Sequence, residues 1–474
     1  MDLPLVEEPP PERGLFANRT LNLRAVRTIG YDMDYTLIHY HVNEWEAAAF
    51  RHAARLLGER GWPVSGLEFE PSRFTLGLVF DLELGNLLKA TRFGYVTRSQ
   101  HGLSLLGFDR QRQMYRNTVV DLSEDRYEFM NTLFELSRAA LWTQLVEIHD
   151  RDPLPGVHSY GDLYRAIDDA LNESHTAGAL KGEILADPDR FIELDPQVVA
   201  TLQEQRLAGK RLLLITNSDW FYTRQIMTYA VDPFCPRGSS WRDLFDIVIV
   251  SANKPRFFAH ADPIYRVVDE ENALLKPHFG PLEPGDVYFG GNALMVERSL
   301  GEQDTQPLYV GDHLFGDVHV TKDVLRWRTA LVARELEAEI RSAQAFAADE
   351  RRLVGLMAHK TRLERSLAQH RLALLSLPEG AGERTDAARR VEELTADLIE
   401  VDREIAPLAR MAATLGNPHW GPLMRAGNDK SLFARQVERY ADVYTSRVSN
   451  FRFETPFAYL RAAHGSLPHD PAPN

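Results

Sequence analysis

Cysteine is almost absent from this chain. The single thiol, Cys235, excludes an intrachain disulfide and argues against a cysteine-rich metal site. A cytoplasmic setting is the default expectation that follows. Long apolar runs are missing too, and no stretch is long enough to span a bilayer, so no membrane association is expected. Positive charge is in deficit: 54 Lys and Arg stand against 68 Asp and Glu, for a net charge of −14. That balance disfavours a nucleic-acid polymer as partner, although local basic side chains can still hold a small anion. Residues 1–13 are acidic and proline-rich, unlike a signal peptide, so residues 1–20 are expected to form a flexible arm.

What is present suffices for a core. Hydrophobic residues make up 44% of 474 positions, a size that suggests two or three modules. The central stretch is Asp32-Met33-Asp34-Tyr35-Thr36-Leu37, which directly follows a β-rich run over 26–31. In an open α/β sheet, ligands bind outside the carboxyl ends of the strands. Three further β-like runs end in chemically useful groups: 211–215 before Thr216, Asn217, Ser218 and Asp219; 246–250 before Asn253 and Lys254; 307–310 before Gly311, Asp312 and Asp317. Strands interleaved with helices imply a largely parallel sheet. Neighbouring strands would bring all four clusters to one sheet edge.

Each cluster alone has a plainer reading. Paired aspartates cap helices or make turns. Thr216-Asn217-Ser218 suits a helix cap, Lys254 suits a solvated loop, and Asp312 after Gly311 suits a turn. Together they suit phosphoryl transfer, which needs an in-line nucleophile, charge neutralisation and protonation of an alkoxide leaving group. Asp32 would attack phosphorus and form an aspartyl-phosphate. Asp34 would protonate the leaving oxygen and then activate water. Thr216, Asn217 and Ser218 would donate to phosphate oxygens, and Lys254 would balance the charge. Mg²⁺ takes oxygen ligands and keeps waters; Asp32 and Asp312 are its expected side-chain ligands, with the Asp34 backbone carbonyl as a third. Asp317 would orient Lys254 or a metal-bound water.

Between the first strand and residue 196 lies an insertion too long for a loop. Within it, helical spacing covers 43–60, 127–147 and 160–173, and a hairpin is expected from Asn86 past Tyr95. From 335 onward the texture changes. Residues 351–375 and 385–405 are charged and helix-favouring, with Pro378, Gly380 and Gly382 marking a turn between them. Val391, Leu394, Leu398, Val401 and Ile405 form an apolar seam at three-and-four spacing. The aromatic-rich end, 432–467, is expected to dock on the globular body.

These motifs resemble the haloacid-dehalogenase-like (HAD) phosphohydrolases. More narrowly, Asn131-Thr132-Leu133-Phe134, Lys254-Pro255-Arg256-Phe257-Phe258, Trp327-Arg328-Thr329 and Gln436-Val437-Glu438-Arg439-Tyr440-Ala441-Asp442 resemble the cytosolic purine 5′-nucleotidase family, from about Leu21 to near the carboxyl terminus. The resemblance implies an α/β fold: a HAD-like Rossmannoid parallel sheet with an inserted cap domain and a C-terminal helical hairpin extension. The expected division is a core over 21–45 and 185–340, a hairpin near 86–120 able to pack on it, a cap over 46–184, a helical hairpin over 341–410, and a segment over 411–474 docking on core and cap. It also implies Mg²⁺-dependent hydrolysis of nucleoside 5′-monophosphates, phosphate transfer to a nucleoside acceptor, and a homo-oligomer, dimer or tetramer. His175 and Lys181 match family positions near the nucleotide, and Phe134 matches an aromatic that stacks on the base. Asp168 and Asn172 fall where the family places an arginine and an aspartate around the base. Asp121 falls where an arginine serves its effector site, while Phe315 and Asn131 there are retained. The alternatives are a HAD phosphatase for a non-nucleotide phosphorylated metabolite and a catalytically quiet HAD-fold binding protein.

Overall fold

Short runs of Val, Ile and Leu become neighbours in one ten-stranded sheet. The structure is a computed structural model that describes residues 8–176, 178–301 and 307–463. The chain divides into two compact units, Met1–Glu337 with Leu423–Asn474, and Ala338–Pro422.

The sheet lies in the first unit. Its strands run in the order Phe16–Ala17, Val443–Thr445, Arg328–Val332, Leu308–Gly311, Thr28–Tyr31, Arg211–Ile215, Ile247–Val250, Val287–Gly290, Ile264–Asp269 and Leu274–Pro277. From Val443–Thr445 to Val287–Gly290 every pairing is parallel. The outer strands at both ends pair antiparallel. Buried parallel strands read as continuous apolar runs, and Ile247–Val250, a run of Ile and Val, is buried at every position. Gly30 makes room for a neighbour: a Cβ there would lie 2.9 Å from Tyr309 Cδ2. The ring of Tyr309 therefore lies across the middle of the sheet, and its hydroxyl donates to the Ile215 carbonyl at 2.9 Å. The three strands between Ile264 and Gly290 give little warning in the sequence, since Leu274–Pro277 is exposed throughout and carries no alternation.

Between the strands Thr28–Tyr31 and Arg211–Ile215 the chain builds a second, five-stranded sheet. Its order is Ser104–Leu105, Val96–His101, Asn86–Ala90, Val79–Asp81 and Tyr127–Phe129, all antiparallel. Helices Val42–Glu59, Leu136–Arg151 and Tyr160–Thr176 belong to the same insertion. Phe80 meets Trp142 edge to face at 5.6 Å, joining this sheet to the second of those helices. The helix expected over 127–147 is corrected here. Tyr127 and Phe129 are buried while Glu128 is exposed, the two-residue alternation of a strand, and the α-helix starts only at Leu136.

The amino-terminal arm is corrected as well. Residues 1–7 lie outside the described part, but the rest of 1–20 is bound to the body. Phe16 and Ala17 pair with Tyr444 and Val443, and Arg19 Nε donates to Asp442 Oδ1 at 2.7 Å. Asp442, fully buried, also accepts from Lys322 Nζ at 2.5 Å and from the Thr329 amide at 3.0 Å. One carboxylate thus ties the arm, the strand Arg328–Val332 and the segment after Asp317 together.

The second unit consists mainly of helix Leu336–Ser376, from Ala338 onward, and helix Gly382–Ala413. Arg352 donates to Glu404 at 2.9 Å and Lys360 to Asp402 at 2.6 Å, so the two run antiparallel. Leu394, Val401, Ile405 and Leu408 are buried along the second helix. Among the described residues, no helix is long and apolar enough to cross a membrane.

Candidate active site

The strands ending before Asp312, Asp32, Thr216 and the Lys254 loop are consecutive neighbours in the parallel part of the sheet. Parallel pairing puts their carboxyl ends along one edge. The Asp32 amide continues the ladder one step, donating to the Val310 carbonyl at 2.9 Å.

Side chains from three of these ends meet. One carboxylate oxygen each from Asp32, Asp312 and Asp317 lies within 4.8 Å of the others. Lys254 Nζ sits 2.8 Å from Asp32 Oδ1 and 2.8 Å from Asp317 Oδ1. It also donates to the Tyr309 hydroxyl at 3.0 Å. Gly311 lets Asp317 fold back, because a Cβ at Gly311 would lie 2.4 Å from Asp317 Oδ2. Asp317 Oδ2 then accepts from the His313 amide at 3.1 Å.

Burial sets the electrostatics. It pushes the Asp32 carboxyl up to about 7, with Lys254 pulling down and Asp317 and Asp34 pushing further up. Asp312 is held well above the usual carboxylate range by burial and then by Asp317 and Asp32. Three carboxylates share one ammonium, so the cluster has unbalanced negative charge. A divalent cation with oxygen preference fits that donor set.

Asp34 is not in the cluster. Its Oδ1 accepts from the Tyr40 hydroxyl at 2.5 Å and its Oδ2 from Ser218 Oγ at 2.7 Å. Burial raises its carboxyl too, against those two hydrogen bonds. Ser218 thus contacts Asp34, and its amide donates to Thr216 Oγ1 at 3.1 Å. Asn217 clamps the lysine loop: it donates to the Lys254 carbonyl at 3.1 Å and accepts the Lys254 amide at 2.6 Å.

The insertion supplies the remaining groups. Thr132 Oγ1 donates to Asp312 Oδ2 at 3.0 Å. Lys181 Nζ donates to Asp219 Oδ2 at 2.7 Å and lies 4.9 Å from the centre of the Tyr222 ring. Tyr222 in turn shares a 3.1 Å hydroxyl contact with Tyr40. Phe134 meets Tyr35 at 4.6 Å, Trp45 at 5.4 Å and His175 at 6.2 Å, all edge to face. His175 is pushed down to about 4 by burial, with Lys181 and Arg138 adding repulsion. Asp168 accepts from Arg138 Nη2 and, at 3.1 Å, from Asn172 Nδ2. Asp121 closes a small exposed turn with Ser123. Phe315 packs on Phe129 at 5.7 Å, and its amide reaches Asn131 Oδ1 at 3.5 Å.

Sequence reasoning missed Tyr40, Thr132 and Tyr309. Tyr40 lies six residues from Asp34, so a turn of chain between them was a usable signal. Thr132 sits beside Phe134 in a motif already noted. Tyr309 precedes Gly311 in its strand, but only the close approach over Gly30 shows where the ring goes.

Comparison with known proteins covers nearly the whole chain. A family model described as 5′ nucleotidase family matches residues 15–472. The human 5′-nucleotidase domain-containing protein 2 is 27% identical over 461 residues, covering 94% of this chain and 83% of the human protein.

Proposed function

We propose that this chain, which belongs to the 5′ nucleotidase family and is a phosphoric monoester hydrolase, hydrolyses nucleoside 5′-monophosphates through an aspartyl-phosphate on Asp32. The observation that carries the reading is the environment of Asp32. Its Oδ1 is engaged by Lys254 and by the Met33 amide at 2.8 Å. Its Oδ2 is the oxygen left for attack on phosphorus, and the P–O bond to the leaving group breaks opposite.

Asp34 serves as acid and then base. Burial favours its protonated form, which suits proton donation to a departing alkoxide. Tyr40 and Ser218 hold its carboxyl group in place. Water then takes the place of the leaving group, and Asp34 accepts the water proton as the acyl phosphate is cleaved. Transfer to a nucleoside hydroxyl replaces water in the same step. Lys254 stays between Asp32 and Asp317 and balances charge as the phosphoryl group arrives. Asp32, Asp312 and Asp317 are the residues that would hold Mg²⁺, which supplies charge neutralisation to the phosphoryl oxygens when bound. Phe134, His175 and Lys181 form the substrate side, where an aromatic edge and a cation suit a nucleoside phosphate.

A second reading, a phosphatase for a non-nucleotide ester, is favoured by one observation. Asp168 is engaged by Arg138 and Asn172 instead of offering the family's arginine to a purine. Phosphate release across nucleoside monophosphates and sugar phosphates, with and without chelator, separates the two. Asp32→Asn is expected to abolish release from every ester; undiminished turnover in that variant rejects the nucleophile.

A further inference from the structure

An ammonium has three hydrogens, and at Lys254 each has its own acceptor. Two acceptors are carboxylate oxygens, Asp32 Oδ1 and Asp317 Oδ1, both at 2.8 Å. The third is neutral: the Tyr309 hydroxyl at 3.0 Å. That hydroxyl has a single hydrogen and donates it to the Ile215 carbonyl at 2.9 Å. Its oxygen is left facing the ammonium as an acceptor.

The sheet fixes the ring that carries this hydroxyl. Tyr309 belongs to strand Leu308–Gly311, Ile215 ends strand Arg211–Ile215, and Thr28–Tyr31 runs between them. The ring crosses the middle strand at Gly30, where a Cβ would lie 2.9 Å from Tyr309 Cδ2. Phe258 meets the ring edge to face at 5.0 Å. Tyr309 is fully buried, so the place of its hydroxyl is set by packing and by the tie to Ile215. The flexible four-carbon stem of Lys254 then takes its end point from that hydroxyl. Asn217 holds the other end, through the Lys254 amide and carbonyl.

We propose that Tyr309 is a positioning residue for the hydrolytic reaction, its hydroxyl setting where the Lys254 ammonium stands. The proposal rests on the reading of Lys254 as the charge that faces the phosphoryl group. In that reading Asp32 Oδ2 bonds to phosphorus while the leaving oxygen departs with a proton from Asp34. Asp32 Oδ1 becomes the carbonyl oxygen of an acyl phosphate and loses its share of negative charge. Asp317 keeps its own. Carboxylates alone would then draw the ammonium toward Asp317 and away from the reacting centre. The hydroxyl has no charge to lose, so its hold on Lys254 is the same before and after phosphorus is bound. A positive charge kept in place costs no reorganisation as the reaction proceeds.

The test reads kcat and KM in saturating Mg²⁺, on the ester that the parent turns over fastest. Tyr309→Phe keeps the ring over Gly30 and removes only the hydroxyl. It is expected to lower kcat by about 10–100-fold with KM unchanged, while circular dichroism matches the parent. Tyr309→Leu with Gly30→Ala, which refills part of the space the ring leaves, is a second hydroxyl-free chain with the same expected loss. Both are then built into a Lys254→Met background. There the ammonium to be placed is gone, and neither is expected to lower kcat further. An equal fractional loss in both backgrounds overturns the proposal, because the hydroxyl would then act through its tie to Ile215 alone. Parental kcat in the hydroxyl-free chains overturns it too, as does a rise in KM with kcat unchanged. Lys254→Met with parental kcat removes the underlying reading and the proposal with it, a failure told apart by the variant that shows it.

Discussion

Lys254→Met separates the charge role of this residue from its packing. The substitution keeps an unbranched apolar stem but removes the only ammonium within reach of Asp32 and Asp317 among the described residues. At 2.8 Å each contact carries a Coulomb attraction of about 6 kcal/mol for an effective dielectric of ~20. Desolvation of the buried ammonium offsets much of that. What remains is the cost of stranding buried carboxylates, about 3–5 kcal/mol. Urea denaturation in the presence of chelator reads this cost with no metal ion to mask it. Asp317→Asn in the same background removes one stranded carboxylate, so the double variant is expected to be more stable than the sum of the singles by about 0.5–3 kcal/mol. Catalysis responds separately. Loss of a fixed positive charge beside the phosphoryl group is expected to lower kcat by about 10²–10³-fold. A Lys254→Met chain that unfolds within about 1 kcal/mol of the parent, with kcat unchanged, would refute the reasoning.

Three other perturbations act on separate contacts. Asp34→Asn is expected to slow phosphate release from an alkyl ester by about 10²–10⁴-fold, while p-nitrophenyl phosphate, whose leaving group needs no proton, still gives a burst of phenolate; equal slowing of both burst phases would remove Asp34 as the acid. Gly311→Ala drives a Cβ to 2.4 Å from Asp317 Oδ2, and thermal melts are expected to show a loss of about 1–3 kcal/mol together with lower activity. Glu46 is buried, accepts from the Ser137 amide at 2.7 Å through one oxygen, and has no partner on the other. Burial raises its carboxyl from 4.5 to about 7 in the folded state. The folded chain therefore holds this proton more tightly than the unfolded chain, and stability falls as pH climbs through that window, by up to about 3 kcal/mol. Glu46→Gln is expected to flatten that slope; urea midpoints at pH 5 and pH 8 that differ as much in the variant as in the parent would exclude Glu46 as its source.

Much of the site was legible because of where it lies. A strand buried on both faces must be an apolar run, and a residue just past its end is placed by backbone pairing alone. Asp32, Thr216 and Asp312 are such residues. The direction of Asp34 was not legible. Two residues beyond the strand, its side chain goes where Tyr40 and Ser218 take it, and that depends on tertiary packing. The same holds for Tyr127–Phe129, where pairing with Val79–Asp81 overrides a helix-like composition. The arm over 8–20 reads as loose because its polar groups find Asp442 only after more than four hundred residues have folded.

In the proposed reading, selectivity lies in the second of these regimes. Read position by position, Asp168 reverses a charge and implies that a guanidinium is gone from the substrate side. Read in space, a guanidinium is present: Arg138, one helix away, is held by Glu135 at 2.7 Å and by Asp168. Helices Leu136–Arg151 and Tyr160–Thr176 thus carry one member of the pair each. In the proposed reading, what a leaving group meets depends on such pairs, each divided between two elements, while the phosphoryl chemistry depends on single residues set at strand ends. That division explains why the reaction class can be read from a sequence whose leaving-group preference cannot.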